Sequence, residues 1–480
     1  MLHCQNKSSL MAILEKTAKD TSTSDIIMPS VEDSIRTDQD ANSLLEVILL
    51  DAMAELQSLE KPDHIKTCKD LAEHFTTWIL QKYRKGEEIH LIFDRYDVSS
   101  SLKTATRDRR QGSQPVVSYH ITDTTNIAKV SMKQLLSSVK TKMVLTGYLA
   151  EMLERANALG KHMVVAVGSQ CKATHTNMAY LDSDHEEADT KLVLHAVDAT
   201  RRGASSIAIH SPDTDVFILA LRRYPILCRN TTFVIGTGQK RRTILLKKIF
   251  QSLQPIQVAP LPGLHALSGA DNTGSFAGKG KMAFWKAFQH ASDEVLTALG
   301  SLGTTTHLST DTLNSIEKFI CSVYAPQTQI TKIDKLRWWM FSQKQCQSEK
   351  LPPTCDALKQ AISRAHFQAI VWVNDTTPNP HIPSPQNYGW TLDEGKWVPV
   401  MTTQLPAPKS VIHLVKCNCS KLRCQTTWCC CMKAGLNCTE MCGCSSLEDN
   451  CENSHHATHD DKDEVQDELD NNDDTDELFV

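Results

Sequence analysis

The stretch Ile207-Ala-Ile-His-Ser-Pro-Asp-Thr-Asp-Val-Phe-Ile-Leu-Ala-Leu221 constrains this chain more than any other. It reads as a short apolar strand, a polar turn and the start of an apolar helix. Asp213 and Asp215 stand where the strand gives out. Open α/β sheets bind their ligands beyond the carboxyl ends of strands. Two carboxylates held there are costly unless a cation joins them, and a divalent metal is the usual partner.

Other segments supply strands and helices of the same kind. Leu44–Asp51 is an apolar strand ending in an aspartate. His64–Arg84 has helical apolar spacing, and Glu88–Asp94 is a second strand ending in an aspartate. Together they predict a strand–helix–strand unit with a right-handed parallel crossover. A basic stretch follows with Lys103, Arg107, Arg109 and Arg110. Val130–Ala158 reads as one or two helices, Lys161–Gly168 as a strand, and Asp184–His195 as a helix with an acidic head. Thr231–Gly236 is another strand and Ile244–Leu253 a short helix. Leu264–Phe288 is two helices around a Gly-rich turn. Helical segments continue to about Ser342.

At 480 residues, two or three folded units are expected. The longest apolar runs are too short to span a membrane. Residues 1–42, rich in Ser, Thr and Asp, lack the charged start and apolar run of a signal peptide and are expected to be disordered. Residues 343–415 are expected to be a linker with short structured pieces. The net charge of −5 hides an asymmetry, because residues 459–480 hold eleven acids and one lysine. The rest carries 50 Lys+Arg against 45 Asp+Glu, a net +5. A mildly basic body with an acidic disordered tail (455–480) is compatible with a nucleic-acid binder.

Asp51, Asp94 and the Asp213/Asp215 pair all follow predicted strands. Glu187 and Asp189 open a predicted helix, and Asp271 opens the Gly-rich turn. Taken singly, such acids commonly cap helices or sit in turns. Several at strand ends of one sheet are harder to dismiss in that way. In this order, segment 44–290 resembles the nuclease core of the flap-endonuclease group, within the wider PIN-like fold. The motifs that carry the resemblance are the two strand-end aspartates, Glu187-Ala-Asp189, Asp213-Thr-Asp215, and Ser268-Gly-Ala-Asp271 followed by Gly278-Lys-Gly-Lys281. Asp189 stands where that group has a second Glu, and residues 112–161 do not match its substrate-threading arch.

The resemblance implies a mainly parallel sheet flanked by helices, with a helix–two-turn–helix segment that grips the duplex backbone. It implies two Mg²⁺ or Mn²⁺ ions held by Asp51, Asp94, Glu187, Asp189, Asp213, Asp215 and Asp271. Two-metal hydrolysis needs such a cradle of hard oxygen donors. Lys103, Arg107, Arg109 and Arg110 would meet the scissile phosphate or the backbone. Gly278, Lys279, Gly280 and Lys281 would contact phosphate, partly through backbone amides.

The second feature is cysteine. Seventeen are present, and ten fall between Cys417 and Cys451. Thiolates this dense, in a segment with almost no apolar core, need Zn²⁺ to fold. Without a secretion signal they also argue for a reducing compartment. The run strongly resembles the CXC domain of the tesmin family, including Lys433-Ala-Gly435 and the closing Cys-x-Asn, and places a zinc module at 416–454. That implies about three Zn²⁺ on Cys417, Cys419, Cys424, Cys429, Cys431, Cys438, Cys442, Cys444 and Cys451, with some sulfurs bridging and Cys430 left over. It further implies DNA contacts from Lys421, Arg423, Trp428 and Lys433, with Trp428 replacing the family's usual Tyr.

The expected function is a divalent-metal-dependent nuclease on flap or branched DNA, in the nucleus, targeted by its zinc module. Two alternatives stand beside it: an RNA-cleaving enzyme, and a DNA-binding scaffold without activity. A nuclease-like core joined to one CXC module also resembles proteins encoded by mobile elements.

Overall fold

The structure is a computed structural model. It describes residues 7–21, 45–98, 101–104, 117–155, 160–236, 238–343, 350–407, 415–419, 424–439, 441–444 and 451–453. Arg107, Arg109, Arg110, Lys421, Arg423 and the acidic tail lie outside the described residues.

Seven strands form one sheet: β1 (Glu46–Asp51), β2 (Glu88–Ile92), β3 (His162–Val167), β4 (Gln170–Ala173), β5 (Ser206–His210), β6 (Thr231–Ile235) and β7 (Arg242–Leu245). Their order is β4-β3-β2-β1-β5-β6-β7. The central five run parallel, and the edge strands β4 and β7 are antiparallel to their neighbours. Parallel neighbours require crossover connections, which put helices on both faces and bury the strands twice over. That is why β2 is buried along its whole length and why β1 reads as a nearly unbroken apolar run.

Side chains alternate across β1. Val47 and Leu49 enter one core with α1 (Ser8–Thr21), α5 (Ala188–Arg201) and α6 (Thr214–Arg223). Ile48 and Leu50 meet the opposite core with α2 (Ala52–Ser58), α3 (Cys68–Lys82) and α4 (Val139–Arg155). The first core also holds α7 (Leu261–Leu267), α8 (Lys281–Gln289), α9 (Thr310–Tyr324) and α10 (Cys355–Val373). Helices α7 and α8 flank the Gly-rich turn.

Two expectations need correction. Residues 8–21 are helix, not disordered chain, and Leu10, Met11 and Leu14 are at most 1% exposed. Burying each contributes about 1.5–3 kcal/mol toward seating the 14-residue helix on the core. Residues 355–373 are likewise one long helix rather than part of a linker, with Trp372 fully packed. A smaller difference is that Arg242–Leu245 pairs with β6 as β7 before the helix Leu246–Ser252 begins. Among the described residues no helix is long and apolar enough to cross a membrane.

Candidate functional site

Register places the acids at one edge. Asp51 pairs with Ile92, and Leu50 pairs with His210. Asp94 therefore lies just past the end of β2, and Asp213 just past the end of β5, beside Asp51. Helix N-termini hold several of these side chains. Asp51 caps α2, its Oδ1 accepting from the Ala54 amide at 2.9 Å. Asp213 caps α6 through the Asp215 amide at 2.9 Å. Asp94 accepts from the Ala188 amide at 2.9 Å, at the start of α5, and from the Tyr96 hydroxyl at 3.3 Å. Unpaired helix amides favour carboxylates there. Capping and clustering thus coexist, since a capping carboxylate keeps a second oxygen.

Asp189, Asp213 and Asp215 present oxygens within 4.8 Å of one another. Asp189 and Asp215 are buried. Lys103 joins Glu187 at 2.7 Å and Asp271 at 3.6 Å. Among the described residues, only Asp189, Asp213 and Asp215 of the seven expected acids bring their oxygens together; Glu187 and Asp271 are tied to the site through Lys103 and Lys7, and Asp51 feels the charges of Asp94 and Asp213. Burial pushes Asp51 up to about 7, with Asp94 and Asp213 adding to the shift. Burial also raises Asp189, Asp213 and Glu187, reinforced at Asp189 by the charges of Asp213 and Glu187. Asp215 and Asp271 are held low instead. Burial opposes this, but Lys7 and His265 at Asp215, and Lys103 and Lys7 at Asp271, outweigh it. A site in which most acids resist ionisation is short of positive charge.

Two functional neighbours were not foreseen. Lys7, just before α1, lies 3.1 Å from Asp213, 3.1 Å from Asp215 and 3.2 Å from Asp271. His265, fully buried on α7, bonds through Nε2 to Asp215 Oδ1 at 2.8 Å. His265 Nδ1 meets Lys281 Nζ at 3.0 Å, and the same ammonium donates to the His265 carbonyl and to Ser268 Oγ, both at 2.8 Å. Nothing local in the sequence marked either residue as a partner of Asp215.

The phosphate-contact expectation for Lys281 is therefore corrected. Its side chain is 2% exposed and committed to His265, and burial lowers its pKa to about 7. Lys279 is half-buried and donates to the Tyr324 carbonyl at the end of α9, at 3.1 Å. Gly278 is exposed with φ +67°, a conformation glycine adopts without strain, and Gly280 caps α8. Of the lysines expected at phosphate, Lys103 alone faces the acids.

The cysteines form a second centre. Nine of them fall into four overlapping groups of four, and Cys417 and Cys438 each belong to three. Neighbouring sulfurs lie 3.6–3.8 Å apart, as in the pairs Cys431–Cys442 and Cys417–Cys438. The edge of a zinc tetrahedron with Zn–S near 2.3 Å is about 3.8 Å, so the thiolates already stand at metal spacing. Cys430 is exposed and belongs to no group. Asn453 donates to the Leu436 carbonyl at 3.0 Å and to Cys438 Sγ at 3.4 Å. Trp428, 86% exposed, and Lys433 face solvent beside this knot.

No family model and no curated protein sequence matches the chain. Among solved structures it is similar to the T5 D15 protein co-crystallised with metal ions, at 12% identity and TM-score 0.38, over 69% of this chain and 91% of that one. It is also similar to the bacteriophage T5 D15 flap endonuclease in a pseudo-enzyme–product complex with DNA and metal ions. That match has 11% identity and TM-score 0.32, over 69% of this chain and 99% of the other. These are distant likenesses of chain arrangement.

Proposed function

We propose that the chain is a divalent-metal-dependent nuclease with a PIN-like core, hydrolysing phosphodiester bonds in flap or branched DNA. The observation that carries this is the clustering of Asp189, Asp213 and Asp215 within 4.8 Å at the carboxyl edge of the sheet. The donor set fits the ions: all are hard carboxylate oxygens, suited to Mg²⁺ or Mn²⁺ and poorly suited to thiophilic metals. Two ions are the number such a set accommodates by resemblance. Ions in such a cradle supply Lewis-acid polarisation of the phosphodiester and ease deprotonation of water.

The chain's own residues do the rest. Helix amides orient Asp51, Asp94 and Asp213. His265 fixes Asp215, as outer partners of metal ligands commonly do. Lys103, which contacts Glu187 and Asp271, brings positive charge to the place where a phosphate would dock. The cysteine knot is proposed to hold about three Zn²⁺ and to add DNA affinity through Trp428, Lys433, Lys421 and Arg423, mostly electrostatic in origin. A nuclear location follows from that role, and an origin in mobile elements from the pairing of the two modules.

One observation favours the inactive-scaffold alternative: Lys7 and Lys103 already compensate part of the acidic charge without metal. The experiment that separates the two uses full-length protein with Mn²⁺ and labelled flap DNA. Asp213→Asn and Asp215→Asn are expected to abolish cutting while leaving DNA affinity nearly unchanged. Wild-type cleavage that survives both substitutions would place the chemistry elsewhere.

A further inference from the structure

Lys7 belongs to none of the motifs above, yet among the described residues it makes the densest set of ionic contacts in the acidic site. Its ammonium donates to Asp213 Oδ1 at 3.1 Å and Oδ2 at 3.2 Å, and to Asp215 Oδ2 at 3.1 Å. Asp271 Oδ1 lies 3.2 Å away. It is no passing surface group. The helix that begins one residue later is pinned by Leu10, Met11 and Leu14, and the lysine side chain is 18% exposed.

The acceptors matter more than their number. Asp215 Oδ1 is taken by His265 and Oδ2 by Lys7, so both of its oxygens are engaged. Asp213 Oδ1 already receives the Asp215 amide, and Lys7 meets both of its oxygens. Asp213 and Asp215 are two of the three acids whose oxygens converge. A divalent ion bound by that trio needs oxygens that Lys7 holds, and two cations in one small, buried place repel strongly.

We propose that the Lys7 ammonium fills one of the two cation positions of the acidic site in the resting protein, so that a divalent ion must displace it. This rests on the metal-site reading above. The site is then an exchange site: the first ion binds tightly, and the second competes with a cation tethered to α1. By linkage, a second ion that expels Lys7 weakens the hold of the N-terminal segment by the same factor. Lys7 lies outside the motifs of the resemblance, so its presence would distinguish this chain's metal dependence.

The test is titration of full-length, zinc-loaded protein with Mn²⁺ alone, followed by calorimetry and by the loss of the free-ion EPR signal. Wild type is expected to bind one ion tightly and a second at least about tenfold more weakly, within the usual range of coupling between ligands. Lys7→Met should raise the weaker affinity at least about tenfold, and Lys7→Arg should leave it weak. An independent readout is thermal stability: Lys7→Met should melt lower than wild type without metal and recover when Mn²⁺ is added. Two equally tight ions in wild type, or an unchanged weaker site in Lys7→Met, would overturn the proposal while leaving the metal site intact. If neither protein binds Mn²⁺, the metal-site reading falls and this inference with it.

Discussion

Asp215 shows how little of this site is left to chance. One oxygen is held by His265, which is held in turn by Lys281. Lys281 donates to Nδ1, so the proton on the ring sits on Nε2 and points at the carboxylate. His265→Leu removes that donor with little change in volume. We expect Mn²⁺ affinity to fall about 10–100-fold, and His265→Gln, which keeps an N–H, to recover part of it; equal affinities in all three proteins would reduce His265 to packing. A second buried network stands at the opposite edge of the sheet. Glu88 bonds His90 at 2.5 Å and Arg202 at 2.9 Å, and His90 meets His195 at 2.8 Å. Burial would raise Glu88, but His90 and Arg202 hold it well below the usual carboxylate range. Its stabilisation is therefore present above about pH 4.3 and is lost as pH falls further. Burial keeps His195 neutral far below its ordinary range and pushes His210 down to about 3. The unfolded chain takes up those protons below about pH 6.5 and the folded one does not, so stability drops from there downward. The raised acids of the site act with the opposite sign, adding stability as pH falls through about 7, so the histidine contribution is read as a difference between two proteins. His195→Leu should gain melting temperature relative to wild type as pH falls from 7 to 4, and a gap that stays constant would contradict the assignment.

At the level of elements, the strands and the acids at their ends were legible because their causes are local. A twice-buried strand reads as an apolar run, and a capping aspartate sits within two or three residues of the amide it serves. The helix α1 was missed although Leu10, Ile13 and Leu14 carry helical spacing, because Ser/Thr/Asp-rich flanks dominated the composition of residues 1–42. Helix α10 was missed for the opposite reason. It is buried nearly all round, with Arg364, His366 and Gln368 inside as well as Phe367 and Trp372, so no apolar stripe stands out. Lys7 and His265 reach Asp215 across 208 and 50 residues, and no local pattern encodes such a contact. The cysteine knot was legible by density alone, but the sharing of its sulfurs required the fold. Protein purified under reducing conditions should contain about three zinc ions per chain by elemental analysis. Cys417→Ser or Cys438→Ser, each common to three groups, should cost more than one zinc. Cys451→Ser, in a single group, should cost at most one, and Cys430→Ser none. A zinc content near zero in the unmodified protein would refute the module.

Over the whole molecule, the two centres are kept distinct by donor chemistry. Carboxylates at the edge of the sheet suit hard ions, and thiolates in the knot suit zinc, so one chain can carry both without exchange between them. The body's net charge of +5, set against eleven acids in the last 22 residues, makes any DNA affinity dependent on salt. The central claim is that the seven acids at the carboxyl edge form a working metal site. Its most direct measurement is single-turnover cleavage of end-labelled flap DNA by full-length protein in Mn²⁺, in Mg²⁺ and in EDTA, with a matched RNA alongside. We predict cutting of the DNA in either metal, none in EDTA, and none by Asp215→Asn. If correctly folded, zinc-loaded protein cuts neither DNA nor RNA in either metal, the acids are a scaffold's charge cluster and the nuclease account is wrong.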